Sequence, residues 1–549
     1  MAVLVSANAS FAVGGVADPG RVDQRLRPQM EAPSVGAPIE IPSLPEQAAP
    51  EGATHKFTLS KVVFEGNSVL PAEELNGLAA QYVGKEITLT QVFELAGQVT
   101  AAYRTRGYIL ARAIVPTQRI ANGDLHIRIV EGFIDKVTVQ GDAGGAKALL
   151  EEHGRKIAAS KPLTSDVMER ELLLAQDLTG FKIRSVLTPS QTTPGGADLT
   201  LLVERKAYNA YLAVDNRGSK YLGPLEITGA AYANDLFGTA GRLGLVAVAS
   251  PDGGPEVAFG AISFDQPLTA DGLRLYTSLS HTRTEPGSTL KVLNSKGRST
   301  TFEASLSYPF IRSRDLNLVF QGGVTSRDVE SDNDFVDPLF DDHIRSLNAG
   351  LYVNALDAWG GYSTFSASAT QGFHVFGAST MSDANRSRSN ADGDFHRVNF
   401  EATHLHPLFG GVNILVGALG QTSFGDSLLS SEQFGLGGLT YGRAYDPSEI
   451  TGDRGLAGKA ELQWNAIDRA DFISNVQFYG FYEGGAVWLQ KPLPGEDKRE
   501  SLAAAGLGVR FGLLDQVNAS VEMAQPLTRD VAAEGDRDTR VFFALGTSF

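Results

Sequence analysis

The C-terminal stretch Arg540–Phe549 reads RVFFALGTSF. Successive side chains of an extended strand point to opposite faces. One face therefore carries large apolar residues, namely Val541, Phe543, Leu545 and Phe549, and the other carries Ala544, Gly546 and Ser548. The stretch Ala207–Asn216 alternates in the same way. An apolar outer face and a small or polar inner face are typical of a β-barrel strand in lipid. A soluble sandwich would reverse the two faces, and the sequence alone leaves that alternative open.

Sixteen such segments follow one another to the end of the chain. They start near Ala207, Pro224, Gly241, Glu256, Gly272, Ser299, Leu316, His343, Tyr362, Phe395, Gly411, Leu456, Asn475, Ser501, Gln516 and Thr539. An even number is expected for a single-chain outer-membrane barrel. No stretch has the ~20 consecutive apolar residues of a transmembrane helix, and lipid admits only helices and closed barrels. We predict a mainly β chain with a 16-stranded antiparallel transmembrane β-barrel over residues 206–549.

Two α+β units precede the barrel, at residues 55–132 and 133–205. In the first, strands are predicted at 61–66, 108–115 and 123–130, and helices at 71–83 and 88–106. In the second, strands are predicted at 133–139, 182–188 and 197–203, and helices at 146–158 and 165–178. The shared element order predicts an internal repeat. Two unrelated small domains are the alternative.

The N-terminal region divides into three parts. Residues 1–17 are mostly small and apolar with an A-x-A-like end, which indicates a signal-peptide remnant or a disordered N-terminus. Asp18-Pro19 then starts a helix over residues 18–29, with Asp18 as N-cap. That helix is too short to be stable alone and needs a docking surface. Residues 30–54 are rich in proline and form a linker.

A long glycine-rich connection, residues 424–455, separates two barrel segments. It has about thirty residues, far more than a hairpin needs, which indicates a role of its own. It carries Arg443, whose planar guanidinium can clamp a carboxylate. The following strand puts Phe481, Glu483 and Gly485 on one face. We hypothesise that this lumen loop folds back into the bore and that Arg443 pairs with Glu483. An exposed loop with an ordinary surface Arg, and a Glu483 that faces lumen water, are the alternatives.

Composition excludes several functions. The net charge is −16 with no basic block, which argues against a nucleic-acid partner. There is no cysteine, so disulfides and thiolate chemistry are excluded. No phosphate-binding loop, HExxH or GxSxG motif occurs. The sequence therefore predicts neither an enzyme nor a cofactor.

Two constellations suggest metals, but only weakly. His404 and His406 share one strand face, yet two histidines without a third ligand are usually polar surface. The acidic run Asp328–Asp342 offers carboxylates to calcium, but a solvated extracellular loop explains it better. We assign no metal site from the sequence.

Several motifs resemble the transporters of two-partner secretion (TpsB), in the superfamily of POTRA domains joined to a barrel. Gly107–Ala113, Asn122–Leu125 and Val130–Gly132 are similar to the first POTRA domain of these transporters. The segment from Leu429 through Gly442-Arg443-Ala444-Tyr445 to Asp453, and on to Leu462, is similar to their lumen loop. The motif Asp215-Asn216-x-Gly218 in the first barrel strand is also similar to these transporters. Two departures stand out: Ala444 replaces the usual Gly, and Glu483 replaces the Asp of a Phe-x-Asp-x-Gly motif.

The resemblance implies a function and a set of site residues. The chain is expected to capture one unfolded secreted protein through periplasmic POTRA domains and to export it through the barrel. A plug helix and the lumen loop would rearrange to open the bore. Folding of the partner outside the cell would make transport directional. The site residues are the latch Gly442, Arg443, Tyr445 and Asp453; the wall motif Phe481, Glu483 and Gly485; and the terminal Phe549 as barrel-assembly signal. Outer-membrane lipid, the barrel assembly machinery and a monomeric state are implied as well.

Two other functions fit parts of the pattern. An outer-membrane insertase of the same superfamily would have more POTRA repeats and a barrel that opens laterally. A passive porin or surface adhesin would have neither a POTRA pair nor a plug helix.

Overall fold

The computed structural model describes residues 16–28, 55–251, 256–470, 472–514 and 516–549. The predicted linker over residues 30–54 and nearly all of the predicted signal remnant lie outside these ranges. The chain forms two compact units. One contains the first helix and the strands from residue 208 onward, and the other contains the α+β region from residue 55 to residue 206.

The first helix, α1, spans Pro19–Leu26, as its sequence predicts. The Asp18 side chain caps it by accepting the N–H of Arg21 at 3.0 Å, and proline occupies the first turn, where no N–H is needed. In the part of the chain that the structure describes, no helix is long and apolar enough to cross a membrane.

The first α+β unit is a three-stranded sheet with two helices. Its elements are β1 Lys56–Thr58, β2 Lys61–Glu65, α2 Ala72–Ala80, β3 Glu86–Thr88, α3 Leu89–Thr105, β4 Arg112–Ile114 and β5 Asp124–Val130. The sheet order is β2-β5-β4, with β2 parallel and β4 antiparallel to β5. The short pair β1–β3 was missed because three residues are too few to show alternation.

The strand predicted at 108–115 is wrong in its first half. Gly107 has a φ of +86°, and Tyr108 returns its N–H to the Tyr103 carbonyl at 3.1 Å. This is a helix C-terminal cap with glycine in the left-handed region. The residues directly after the helix form this cap and the turn that follows, so the strand begins only at Arg112.

The second α+β unit repeats the topology of the first. Its elements are β6 Phe133–Gly141, α4 Lys147–Ala159, α5 Ser165–Gln176, β7 Phe181–Pro189 and β8 Gly196–Arg205. The sheet order is β6-β8-β7, with β6 parallel and β7 antiparallel to β8. Two units with the same strand order and directions are better explained as a repeat than as unrelated domains.

The C-terminal unit is a closed antiparallel barrel. Its strands are β9 Tyr208–Asp215, β10 Glu226–Asn234, β11 Arg242–Ala249, β12 Val257–Pro267, β13 Arg274–Thr284, β14 Lys296–Arg312, β15 Leu316–Asn333, β16 Val336–Leu356, β17 Tyr362–Gly372, β18 His396–Phe409, β19 Val412–Thr422, β20 Phe434–Leu436, β21 Ile450–Gly452, β22 Arg454–Ala470, β23 Ile473–Trp488, β24 Arg499–Leu513, β25 Val517–Pro526 and β26 Arg540–Ser548. β20 and β21 pair with each other inside the lumen loop. The other sixteen close the barrel, which confirms the predicted count.

Large apolar side chains project from the outside of this barrel, as the alternation predicted. Examples with more than two-fifths of their surface exposed are Tyr208, Leu212, Leu245, Leu279, Val541, Phe543 and Leu545. A belt of this kind suits lipid on the outer face.

The acidic run Asp328–Asp342 is not a loop. It occupies the adjoining ends of β15 and β16, which are joined through Asp334 and Phe335. Its charges are partly neutralised within the hairpin, since Asp328 lies 2.7 Å from His343 and 2.8 Å from Arg345. Cross-strand pairs of opposite charge explain how an acidic stretch can form a strand.

Candidate functional site

The lumen loop, residues 424–455, enters the bore between β19 and β22. Gly442 has a φ of +87°, and a Cβ on it would lie 3.0 Å from both the Gly437 Cα and the Leu502 Cδ1. Glycine is therefore needed to bring the next residue, Arg443, against the wall. Ala444 is fully buried and has no positive φ, so it replaces glycine without backbone strain.

Arg443 contacts three wall carboxylates. Its backbone N–H donates to Glu483, and its Nε donates to the Glu483 Oε2 at 3.1 Å. Its Nη1 donates to the Glu461 Oε2 at 2.6 Å and lies 3.4 Å from the Glu522 Oε2. The three glutamates stand on β22, β23 and β25. One loop residue thus joins three strands of the barrel.

Two further arginines balance these charges. The Arg217 Nη2 donates to Glu522 at 2.8 Å, and the Arg510 Nη1 donates to Glu461 at 2.8 Å. The Glu483 side chain is fully buried. Three guanidinium groups therefore face three carboxylates, and removing one of them would leave a largely buried opposite charge without its partner.

The wall motif shapes the surface that receives the loop. The Arg443 guanidinium lies over the Phe481 ring, 3.5 Å from its centroid, close enough for a cation–π interaction. A Cβ on Gly485 would lie 2.7 Å from the Leu436 Cδ1 of the loop. Glycine at this position therefore lets β20 pack directly on β23.

Tyr445 and Asp453 fix the loop at two other points. The Tyr445 hydroxyl donates to the Ala503 carbonyl at 3.0 Å. Asp453, fully buried, accepts from the Arg388 Nη1 at 2.7 Å, the Leu428 N–H at 2.9 Å and the Gln490 N–H at 2.7 Å. The structure therefore brings Asp453 to Arg388 and not to Arg443.

Glu432 is a site residue that the sequence analysis missed. It is buried in the loop, pairs with Arg327 on β15, and lies 2.7 Å from the Arg397 Nη1 on β18. The sequence indicated Glu432 only through its place in the segment that resembles the lumen loop of these transporters. Both of its partners lie on strands that are distant along the chain.

Helix α1 docks on the lumen loop. The Arg21 Nη1 donates to the carbonyls of Ser430 at 3.1 Å and Gln433 at 2.8 Å, and its Nη2 donates to the Ser448 hydroxyl at 3.0 Å. A Cβ on Gly435 would lie 1.9 Å from that Nη2. A side chain at 435 would therefore displace the arginine.

The same helix also contacts the barrel wall. Asp23, fully buried, accepts from the hydroxyls of Ser280 at 2.6 Å, Thr282 at 3.2 Å and Thr301 at 2.8 Å. Arg25 forms a bidentate pair with Glu226 at 2.9 and 2.5 Å. These contacts supply the docking surface that an eight-residue helix needs.

Phe549 lies at the seam where the barrel closes. β26 pairs with β9 from Ala544↔Asp215 to Ser548↔Tyr211. Phe549 extends the pairing, with its N–H donating to the Ala210 carbonyl at 2.9 Å. Phe549 as a whole residue is 63% exposed and therefore accessible from outside.

A barrel whose bore holds its own helix and loop, joined to two tandem α+β units, defines an outer-membrane transporter with periplasmic POTRA domains. Residues 57–132 match the POTRA domain of ShlB type. Residues 195–511 match the family described as haemolysin secretion/activation protein ShlB/FhaC/HecB. The chain belongs to this family of two-partner secretion transporters.

Individual relatives agree with the family. The chain is 24% identical over 492 residues to the heme/hemopexin transporter protein HuxB of Haemophilus influenzae, covering 87% of this chain and 85% of HuxB. It is 26% identical over 531 residues to the outer membrane transporter CdiB of Escherichia coli, covering 92% of this chain and 84% of CdiB. The solved structure of CdiB from Escherichia coli superposes with a TM-score of 0.70 at 22% identity, covering 92% and 93% of the two chains, and shows the same fold.

Proposed function

We propose that this transporter binds one unfolded secreted protein in the periplasm and exports it through its own bore. The observation that carries the proposal is the way the bore is filled. Helix α1 and the lumen loop are held there by apolar packing, in which Phe434 and Ile450 of the loop take part, and by many charged and polar contacts. Examples of the polar contacts are Arg443 with its three glutamates and Asp23 with three hydroxyls. Polar contacts can be exchanged for water when the segments move, so this filling suits a removable plug.

Arg443 would act as the latch of the resting state, together with Gly442 and Tyr445 and the wall residues Phe481, Glu483 and Gly485. Breaking one side of a buried Arg–carboxylate pair typically costs about 3–5 kcal/mol, and water in the bore reduces that cost. A cost of this size keeps the loop in place at rest and still permits displacement by an incoming chain. Asp453 and Glu432 would hold the two ends of the loop.

The second α+β unit is the better candidate for capture. Its edge strands β6 and β7 have nine residues each, whereas the edges of the first three-stranded sheet, β2 and β4, have five and three. An extended segment can add to an exposed strand edge through main-chain hydrogen bonds. Longer edge strands offer more of these hydrogen bonds and therefore bind an unfolded secreted protein more tightly.

The proposed domains have the limits that the sequence predicts. These are 1–17 for the signal remnant, 18–29 for the plug helix, 30–54 for the linker, 55–132 and 133–205 for the POTRA domains, and 206–549 for the barrel with its lumen loop 424–455. The exposed Phe549 would be recognised by the barrel assembly machinery, and outer-membrane lipid would surround the apolar belt. Since the barrel closes on itself and fills its own bore, a monomer suffices. Folding of the exported protein outside the cell would drive transport, with no enzymatic step.

Deletion of residues 57–205 tests this proposal. The variant is produced together with a candidate secreted partner protein that the wild-type transporter exports, and both the exported protein and the barrel in the outer membrane are measured. We expect export to stop while a barrel with heat-dependent electrophoretic mobility remains. Export at the wild-type level would contradict the proposal.

A further inference from the structure

A cluster of metal-ligand side chains lies on the outer surface of the barrel. β18 pairs with β19 so that His404 faces Val416 and His406 faces Ile414. The next residue of β19, Gly417, points into the bore, where a Cβ on it would lie 2.8 Å from the Tyr441 hydroxyl of the lumen loop. Because side chains alternate along a strand, His404 and His406 point outward.

Asp357 supplies the third ligand of this cluster. It lies in the turn between β16 and β17, at the end of the barrel where β9 begins, which is the periplasmic end. Donor atoms of Asp357, His404 and His406 all lie within 4.8 Å of one another, and all three residues are partly buried. The sequence alone does not indicate this cluster, because Asp357 is far from the two histidines along the chain.

The local structure orients Asp357 toward the histidines. The Asp357 Oδ1 accepts the N–H groups of Trp359 and Gly361, each at 2.8 Å, so the other oxygen is directed to the cluster. A Cβ on Gly361 would lie 2.5 Å from the Asp357 Oδ2 and 2.9 Å from the His404 Cε1. Glycine at this position is therefore needed for the carboxylate to approach the imidazole.

A second contact orients His404. Its Nδ1 lies 2.9 Å from the hydroxyl of Ser363 on β17. When Nδ1 carries the proton and donates to this hydroxyl, Nε2 keeps the lone pair that a metal requires. Metal-binding histidines are usually held by such a hydrogen bond from the other ring nitrogen.

We propose that Asp357, His404 and His406 form a Zn²⁺ site at the periplasmic rim. Two imidazole nitrogens and one carboxylate oxygen, with water in a remaining position, are a ligand set that Zn²⁺ accepts. Zinc–ligand bonds of about 2.0–2.2 Å need donor atoms closer than 4.8 Å, and small rotations of these partly exposed side chains provide the difference. The ion would fasten the β16–β17 turn to β18, independently of export.

Zinc binding to the full chain in detergent micelles tests the proposal. The protein is treated with a chelator, the chelator is removed, and Zn²⁺ uptake is measured by titration calorimetry and by elemental analysis after dialysis. We expect one Zn²⁺ per chain. His406→Gln and Asp357→Asn should each weaken binding by at least about tenfold, since losing even a hydrogen-bond partner of a metal ligand costs about 10–100-fold in affinity.

His396→Gln is the matched control. His396 also lies beside a carboxylate, 3.1 Å from Asp426, but without a second histidine ligand. This variant should bind Zn²⁺ like the wild type, and all variants should keep the heat-dependent mobility of a folded barrel. Absence of zinc uptake by the wild type, or equal uptake by wild type and His406→Gln, would overturn the proposal.

Discussion

At the scale of single residues, the closed position of the lumen loop in the bore depends on pairing each buried charge with an opposite charge. Arg443 has a 6% exposed side chain and meets Glu461, Glu483 and Glu522 at once. The family's shorter Asp is replaced by Glu483, yet the longer arm still reaches both the backbone N–H and the Nε of Arg443. Glu for Asp therefore preserves the contact in this chain.

Arg443→Ala should open the bore. Removing the guanidinium leaves buried carboxylates without their partner, a change that costs up to about 3–5 kcal/mol and weakens the closed position of the loop. We expect higher single-channel conductance in planar lipid bilayers and reduced export. Arg454→Ala, at an exposed arginine beside Trp488, is the control and should behave like the wild type. Unchanged conductance and export in Arg443→Ala would remove the reason to invoke a latch.

Glu131 gives the first POTRA domain a pH dependence. Burial favours its neutral form, but donors outweigh burial and hold the pKa of Glu131 below its ordinary value of 4.5. These donors are the Ser68 N–H and hydroxyl, the Val69 N–H and the Tyr103 hydroxyl. Burial also raises the pKa of Tyr103, which keeps that hydroxyl a donor.

The sign of this effect follows from the lowered pKa. The ionised Glu131 carboxylate contributes its full stabilisation of the folded domain above pH 4.5. This contribution is lost as the pH falls through the lowered pKa of Glu131 in the folded domain. We expect hydrogen-exchange protection at Ser68 and Val69, corrected for intrinsic rates, to fall on acidification from about pH 5 to pH 3. Glu131→Gln should lose most of this pH dependence, and Glu73→Gln should keep it. Equal pH profiles for wild type and Glu131→Gln would refute the assignment.

At the scale of elements, the plug helix shows that a short helix can be held by its surroundings. α1 has eight residues, and the hydrogen bonds and ion pairs described above join it to the lumen loop and to strands β10, β13 and β14. Because Arg21 makes three hydrogen bonds with a loop that must itself move, the two segments are expected to leave the bore together.

Arg21→Ala should loosen the plug helix. The change removes three hydrogen bonds to the lumen loop, each worth about 0.5–1.5 kcal/mol. The chain has no cysteine, so a single Leu26→Cys reports helix exposure by its rate of maleimide labelling. We expect faster labelling with Arg21→Ala and no change with Lys220→Ala. Equal rates for all three proteins would show that Arg21 does not hold the helix.

At the scale of the whole molecule, the closing seam separates export through the bore from lateral opening. β26 and β9 share five residue pairs, against eight between β9 and β10. An insertase needs the seam to part, whereas a transporter that uses its bore does not.

A disulfide across the seam tests this distinction. Leu545 and Val214 face each other across β26 and β9, at a separation that suits a disulfide between cross-strand neighbours. We expect the double variant Val214→Cys, Leu545→Cys to export its partner equally well oxidised and reduced. A wild-type control without cysteine excludes effects of the oxidant. Export that stops on oxidation and returns on reduction would favour lateral opening.

The alternating pattern predicted the barrel and its sixteen strands because a strand's period is local. The N-cap pair Asp18-Pro19 likewise predicted α1, and the length of the lumen loop predicted a function for it. Arg443 and Glu483 were suggested by residue chemistry together with the family resemblance. Each of these signals is contained in a few consecutive residues or in one recognisable motif.

What only the tertiary structure decided is which of these residues meet. Glu461 and Glu522 join Arg443, Asp453 turns to Arg388, and Asp357 completes the pair of histidines. Such encounters depend on strand register and on closure of the barrel, which together bring distant parts of the chain into contact. The sequence by itself determined the strands, the helix and the loop, since their causes are local; the partners of each buried charge followed from the closed barrel.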